Sequence, residues 1–163
     1  MRTARLSLRR HLLPFVSIIA CAPGLGAAAA GVGASTAQDT VEARTLFEAN
    51  IDAIHKRDRA RYLATYLHSG LLGRNGPAGL ELGYENWSAL RDSTWPDTLI
   101  ARNLRVVPIA AGVVYGSYCY TVTQHDTTSS GVSERVFVKT NDGWKIAVTT
   151  AFGLPAGDPP QCK

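Results

Sequence analysis

The feature that most restricts the fold is a change of hydrophobic period near Leu99. Beyond it lie four runs rich in Val, Ile, Tyr, Thr and Phe, at residues 99–109, 112–125, 132–140 and 144–152. Such composition, bounded by turn residues, predicts strands. Ala110-Ala111-Gly112, the polar stretch Asp126 to Gly131, and Asn141-Asp142-Gly143 separate them. Connections this short join antiparallel neighbours, so the runs predict a meander. Alternation in the last run puts Trp144, Ile146, Val148, Thr150 and Phe152 on the expected core face, with Lys145, Ala147, Thr149 and Ala151 opposite. In the second run Val114, Tyr118, Tyr120 and Val122 form the expected inner set, leaving Cys119 outside. In 132–140 both faces carry apolar residues, and alternation does not choose between them.

Before Leu99 the period is helical. Ala43, Phe47, Ile51 and Ile54 make one stripe, and Asp39-Thr40-Val41-Glu42 has the spacing of a capping box that would start the helix. Asp58 is placed to cap a second helix with Tyr62, Leu63, Tyr66 and Leu67 on its buried side, ending at Ser69-Gly70. Residues 70–83 hold five glycines and Pro77, read as a loop with a short hairpin. The order G-x-G-x-x-G is absent and no Lys-Ser or Lys-Thr follows, which excludes a dinucleotide fingerprint and a P-loop. A third short helix is expected to carry Tyr84, Trp87 and Leu90 inward and to stop before Pro96.

The N-terminal segment has a different character. Arg2, Arg5, Arg9 and Arg10 precede the apolar stretch Leu12 to Ala20, and small residues follow to Ala37. That order is the layout of a secretory signal spanning residues 1–37. Ser35 and Ala37 supply the small side chains a signal peptidase would inspect, and Arg9-Arg10-His11-Leu12-Leu13 loosely resembles a twin-arginine signal. Alternatively, Ile18-Ile19-Ala20-Cys21 resembles a lipobox, in which case the signal ends at residue 20, Cys21 is lipidated, and a lipid anchor is the one membrane contact. The expected location is the periplasm or outside the cell.

Charge follows the same division. Of 17 Lys and Arg, four fall in the first ten residues, and the remaining 13 balance 13 Asp and Glu. The folded part is therefore formally neutral, which argues against a nucleic-acid partner. Once Cys21 is cleaved off or lipidated, Cys119 and Cys162 remain as a pair that an oxidising compartment could join; two unrelated thiols are the alternative.

The order of these elements carries a resemblance. Gly131-Val132-Ser133-Glu134-Arg135-Val136-Phe137-Val138-Lys139 followed by Asp142-Gly143-Trp144-Lys145-Ile146 resembles the end of the nuclear-transport-factor-2-like superfamily, and of its SnoaL-like members in particular. Tyr62 to Leu67 and Gly83-Tyr84-Glu85-Asn86-Trp87 stand where that family has its second and third helices. The resemblance covers residues 39–153, leaving 154–163 as a tail. It implies an α+β fold, a cone or cystatin-like roll in which a curved antiparallel sheet packs on three N-terminal helices and leaves a pocket at its open end. It also implies homodimers through the outer sheet face. Members use the pocket for isomerisation, cyclisation, dehydration or plain ligand binding.

Candidate site residues follow from this frame. Enzymatic relatives generally carry an Asp soon after the second helix, but this chain has His68-Ser69 there and no acid between Asp58 and Glu81. His68 is thus the candidate base, since a neutral imidazole accepts protons near pH 7; the alternative is a histidine that tops a helix end. Tyr66, Trp87, Tyr118 and Trp144 are candidates to line a pocket for a small apolar molecule, against core packing, the preferred reading of Trp144. Glu134 and Arg135 suggest an ion pair, yet strand neighbours point to opposite faces, so one should be solvated or on a dimer surface. His55, His68 and His125 lack metal-ligand spacing, and no motif calls for a cofactor. Two readings stay open: a pocket protein without chemistry, or an isomerase, cyclase or dehydratase using His68.

Overall fold

The computed structural model describes residues 29–89, 95–154 and 162, with side chains of the first helix from Thr36 onward. The candidate lipidation site Cys21, the apolar core of the leader, Leu90 and most of the tail lie outside the described residues. Helix α1 (Ala29–His55) is followed by α2 (Arg59–Ala64), the hairpin β1 (Gly73–Gly76) and β2 (Gly79–Leu82), and α3 (Tyr84–Ala89). Then come β3 (Thr98–Ala110), β4 (Val113–Gln124), β5 (Thr127–Thr140), β6 (Gly143–Thr150) and a short β7 (Phe152–Gly153). No described helix is long and apolar enough to cross a membrane.

The sheet order is β2-β1-β6-β5-β4-β3, with β7 pairing to β5. The four long strands form the expected meander. The sheet is mixed, because β1 runs parallel to β6 while every other strand pair is antiparallel. The segment read as a polar loop from Asp126 to Gly131 is instead mostly strand. A two-residue turn suffices because His125 and Asp126 both take positive φ, 46° and 64°. Thr and Ser hydroxyls then pair across the strands, Thr123 with Thr128 at 3.0 Å and Thr121 with Ser130 at 3.1 Å.

Helix α1 lays Ala43, Phe47 and Ile51 against the sheet, where they meet Val114, Tyr118, Phe137 and Ile146. The capping-box expectation is corrected. Asp39 lies inside the helix, buried, and its carboxylate accepts from Gly112 N at 2.9 Å, tying α1 to the β3–β4 turn. Asp58 does cap α2, accepting from Arg61 N at 3.0 Å. The helix stops at Ala64 because Thr65 and Leu67 exchange backbone hydrogen bonds with Ile146 at 2.8 and 2.9 Å, extending the sheet past β6. That bridge holds Tyr66 over the concave face.

The face assignment of the last strand is corrected too. Phe137 pairs with Ile146 but Val136 pairs with Val148, so Ala147 is an extra residue, a β-bulge. A bulge reverses alternation beyond it. Trp144 and Ile146 point inward as expected, but past the bulge Thr149 is buried while Val148 and Phe152 are exposed. Two register shifts in β3 complete the bending that makes the sheet a trough rather than a plane.

Candidate cavity between helices and sheet

The bent sheet and the helices enclose a cavity of about 320 Å³. Tyr62 and Tyr66 come from α2 and its extension, Trp87 from α3, Trp95 from the segment before β3, and Tyr118 and Tyr120 from β4. Their rings contact one another: Tyr66 and Trp87 have centroids 4.3 Å apart, Tyr62 and Trp95 5.4 Å. The Tyr62 and Tyr66 hydroxyls are 3.1 Å apart. Burial first, then the Tyr118 oxygen, raise the Tyr120 phenol above its usual range, so it stays neutral near pH 7. Gly131 makes room for that ring, because a Cβ there would collide with the Tyr120 hydroxyl and the Phe152 carbonyl.

One charge is built into this wall. Arg135, on β5, is 4% exposed. Its Nη1 donates to Asn50 Oδ1 at 2.7 Å and its Nη2 to the Tyr118 hydroxyl at 3.0 Å; Nε has no partner among the described residues. Asn50 in turn donates to Thr65 Oγ1 at 2.7 Å. Burial alone would lower the guanidinium pKa, but the oxygens of Tyr118, Tyr66 and Tyr62 outweigh it and hold it above its ordinary value. Arg135 is therefore a fixed cation. Glu134, its strand neighbour, faces the other way and accepts from the Tyr115 hydroxyl at 2.5 Å, so the pair suggested by sequence does not form.

Tyr66, Trp87 and Tyr118 line the cavity, whereas His68 and Trp144 do not. His68 is exposed, stacked on Tyr84 with ring centroids 3.9 Å apart, in a separate cleft with Ser69 and Glu85. The chain turns outward immediately after the Tyr66–Ile146 bridge, and that turn carries the imidazole away from the cavity. Trp144 closes the α1 end of the core instead, its Nε1 donating to Glu42 Oε2 at 2.5 Å with Lys139 Nζ 5.8 Å from its ring centroid. Among the described residues no Asp, Glu or His lines the main cavity, and no cluster of His, Cys, Asp or Glu could hold a metal ion.

The Glu42 contact makes a pH prediction. Hydrogen bonds from Gln38, Trp144 and Lys139, in that order, hold its carboxyl below the ordinary value of 4.5. A group whose pKa is lowered on folding contributes stability above its unfolded pKa and loses it as pH falls through the folded one. Acidification below pH 4.5 should therefore change Trp144 emission before global unfolding, and Glu42→Gln should remove that step; fluorescence titration checks it.

Cys119 and Cys162 form a disulfide on the opposite, outer face, with Cα atoms 5.7 Å apart. It ties Cys162 to the middle of β4.

No family model and no curated protein matches this chain in sequence. Solved structures do. An NTF-2-like protein of unknown function from Shewanella oneidensis superposes with a TM-score of 0.61 at 16% identity, covering 71% of this chain and 98% of that one. A ketosteroid isomerase-like protein from Erwinia carotovora atroseptica gives 0.62 at 16%, covering 73% and 98%. A type 2 hexachlorocyclohexane dehydrochlorinase gives 0.59 at 14%, covering 78% and 98%. At such identities the likeness speaks for backbone architecture, not for chemistry. This chain has the cystatin-like fold of the nuclear-transport-factor-2-like proteins, with a pocket between helices and sheet.

Proposed function

We propose that the chain is an exported pocket protein that binds a small, largely apolar molecule without acting on it through a histidine base. The observation that carries this reading is the cavity lining: aromatic rings from three helix-side segments and one strand, with no carboxylate or imidazole among the described lining residues. Proton-transfer chemistry needs a titratable group facing the substrate, and the described lining offers tyrosine phenols for that rather than a histidine or a carboxylate. His68, the candidate for the isomerase, cyclase or dehydratase alternative, sits in the other cleft.

Export is supported by the arginine, apolar and small-residue order of residues 1–37 and by the Cys119–Cys162 bond, which suits an oxidising compartment. A homodimer through the outer sheet face is part of the reading, supported by the exposed Ile100, Val107 and Val148 there.

Native mass spectrometry of protein purified from a producing bacterium tests these points together. The expected spectrum has a chain lacking residues 1–37, or beginning at a lipidated Cys21, with twice the chain mass and a small molecule retained. A chain starting at Met1 would overturn export. In solution, N-phenyl-1-naphthylamine should brighten on binding, and His68→Ala should leave its affinity within a few-fold. A large loss in that variant would return His68 to the site.

A further inference from the structure

We infer that the ligand of this cavity is a monocarboxylate, its carboxylate seated on Arg135 and its apolar body among Tyr62, Tyr66 and Trp87. The inference rests on the pocket reading above and goes beyond it by naming the ligand's charge.

Removing a guanidinium from water costs several kcal/mol unless a counter-charge compensates. Arg135 has none. Its two hydrogen-bond acceptors, the Asn50 carbonyl and the Tyr118 hydroxyl, are neutral. The other ion pairs of the described residues engage other cations: Lys56, Arg57, Arg61, Arg74 and Lys139 each face an acid. The rings of Phe47 and Tyr118, with centroids 5.7 and 5.3 Å from the guanidinium carbon, offset part of the cost but supply no anion. An arginine cannot escape by losing its proton. Nε–H is thus a buried donor without an acceptor among the described residues, in a side chain that lines the cavity.

A planar guanidinium with its Nε–H unpaired matches a carboxylate, the anion whose two oxygens fit that fork. A phosphate monoester fits less well. It carries close to two charges, and the second cation of the lining, Arg74, already donates to Glu81 at 3.2 Å. The cavity volume of about 320 Å³ limits the body to one or two rings or a short chain.

Isothermal titration of the full mature protein with 2-naphthoate and with 2-naphthamide tests the inference. The two probes share a body and differ in charge. The wild type should bind the acid at least about tenfold more tightly than the amide, the range expected for a charged hydrogen-bonded pair. In Arg135→Met that preference should vanish while the amide still binds; circular dichroism establishes that the variant is folded. The wild-type comparison stands without the variant, should Arg135→Met not fold. Equal affinity for acid and amide in the wild type overturns the carboxylate inference and leaves the pocket reading intact. Binding of neither, nor of N-phenyl-1-naphthylamine, overturns the pocket reading and the inference with it.

Discussion

Trp87→Ala is expected to lower the unfolding free energy by about 3–5 kcal/mol, the cost of emptying a large aromatic site that cannot collapse. Trp87 is 2% exposed and lies at the junction of α3, α2 and the sheet. Its ring touches Tyr66, Tyr62 and Tyr84, with centroids 4.3, 5.8 and 6.1 Å away. Tyr66 and Tyr62 belong to the cavity lining, so the same substitution removes one wall and frees two others. Urea unfolding should show the lower midpoint, and N-phenyl-1-naphthylamine fluorescence should show binding lost by tenfold or more. Trp87→Phe keeps an aromatic ring in place and should recover most of both. A Trp87→Ala protein as stable as the wild type would mean that α3 does not pack as described.

The second large effect is expected from the disulfide. Cys119 and Cys162 are 43 residues apart, and the closed loop contains β5, β6 and β7. Chain entropy for a loop of that length gives about 4 kcal/mol of stabilisation through the unfolded state. Cys119→Ser with Cys162→Ser should therefore lower the urea midpoint strongly, and dithiothreitol should do the same to the wild type. Naphthylamine binding to the protein that stays folded should hardly change, because Cys119 faces away from the cavity residues Tyr118 and Tyr120 on the same strand. Free thiols titrating in the oxidised protein, with no effect of dithiothreitol, would contradict the pairing.

These two sites differ in how legible they were. The meander follows from composition and short connections, and the inward set of β4 from simple alternation, because β4 pairs with β5 without a break. Asp58 as a cap and Trp87 on a short helix follow from spacing over four residues or fewer. Alternation failed in β6, where the bulge at Ala147 inverts the pattern and places Thr149 rather than Val148 on the Arg135 side. It was silent in β5, where Val, Phe and Arg135 all compete for one face or the other. Asn50 was legible only as a polar residue three places after Phe47, on an otherwise apolar stripe; its partners Thr65 and Arg135 are 15 and 85 residues away.

Element order, the type of the helices and of the four long strands, and the neutral charge of residues 39–163 were determined by the sequence alone, since period and turn residues act over a few positions. Tertiary structure decided which aromatic rings meet, that His68 turns outward, and that Arg135 turns inward with no acid to face among the described residues. Those outcomes depend on bulges and on contacts between residues far apart in the chain, and no local pattern encodes where such partners come to rest.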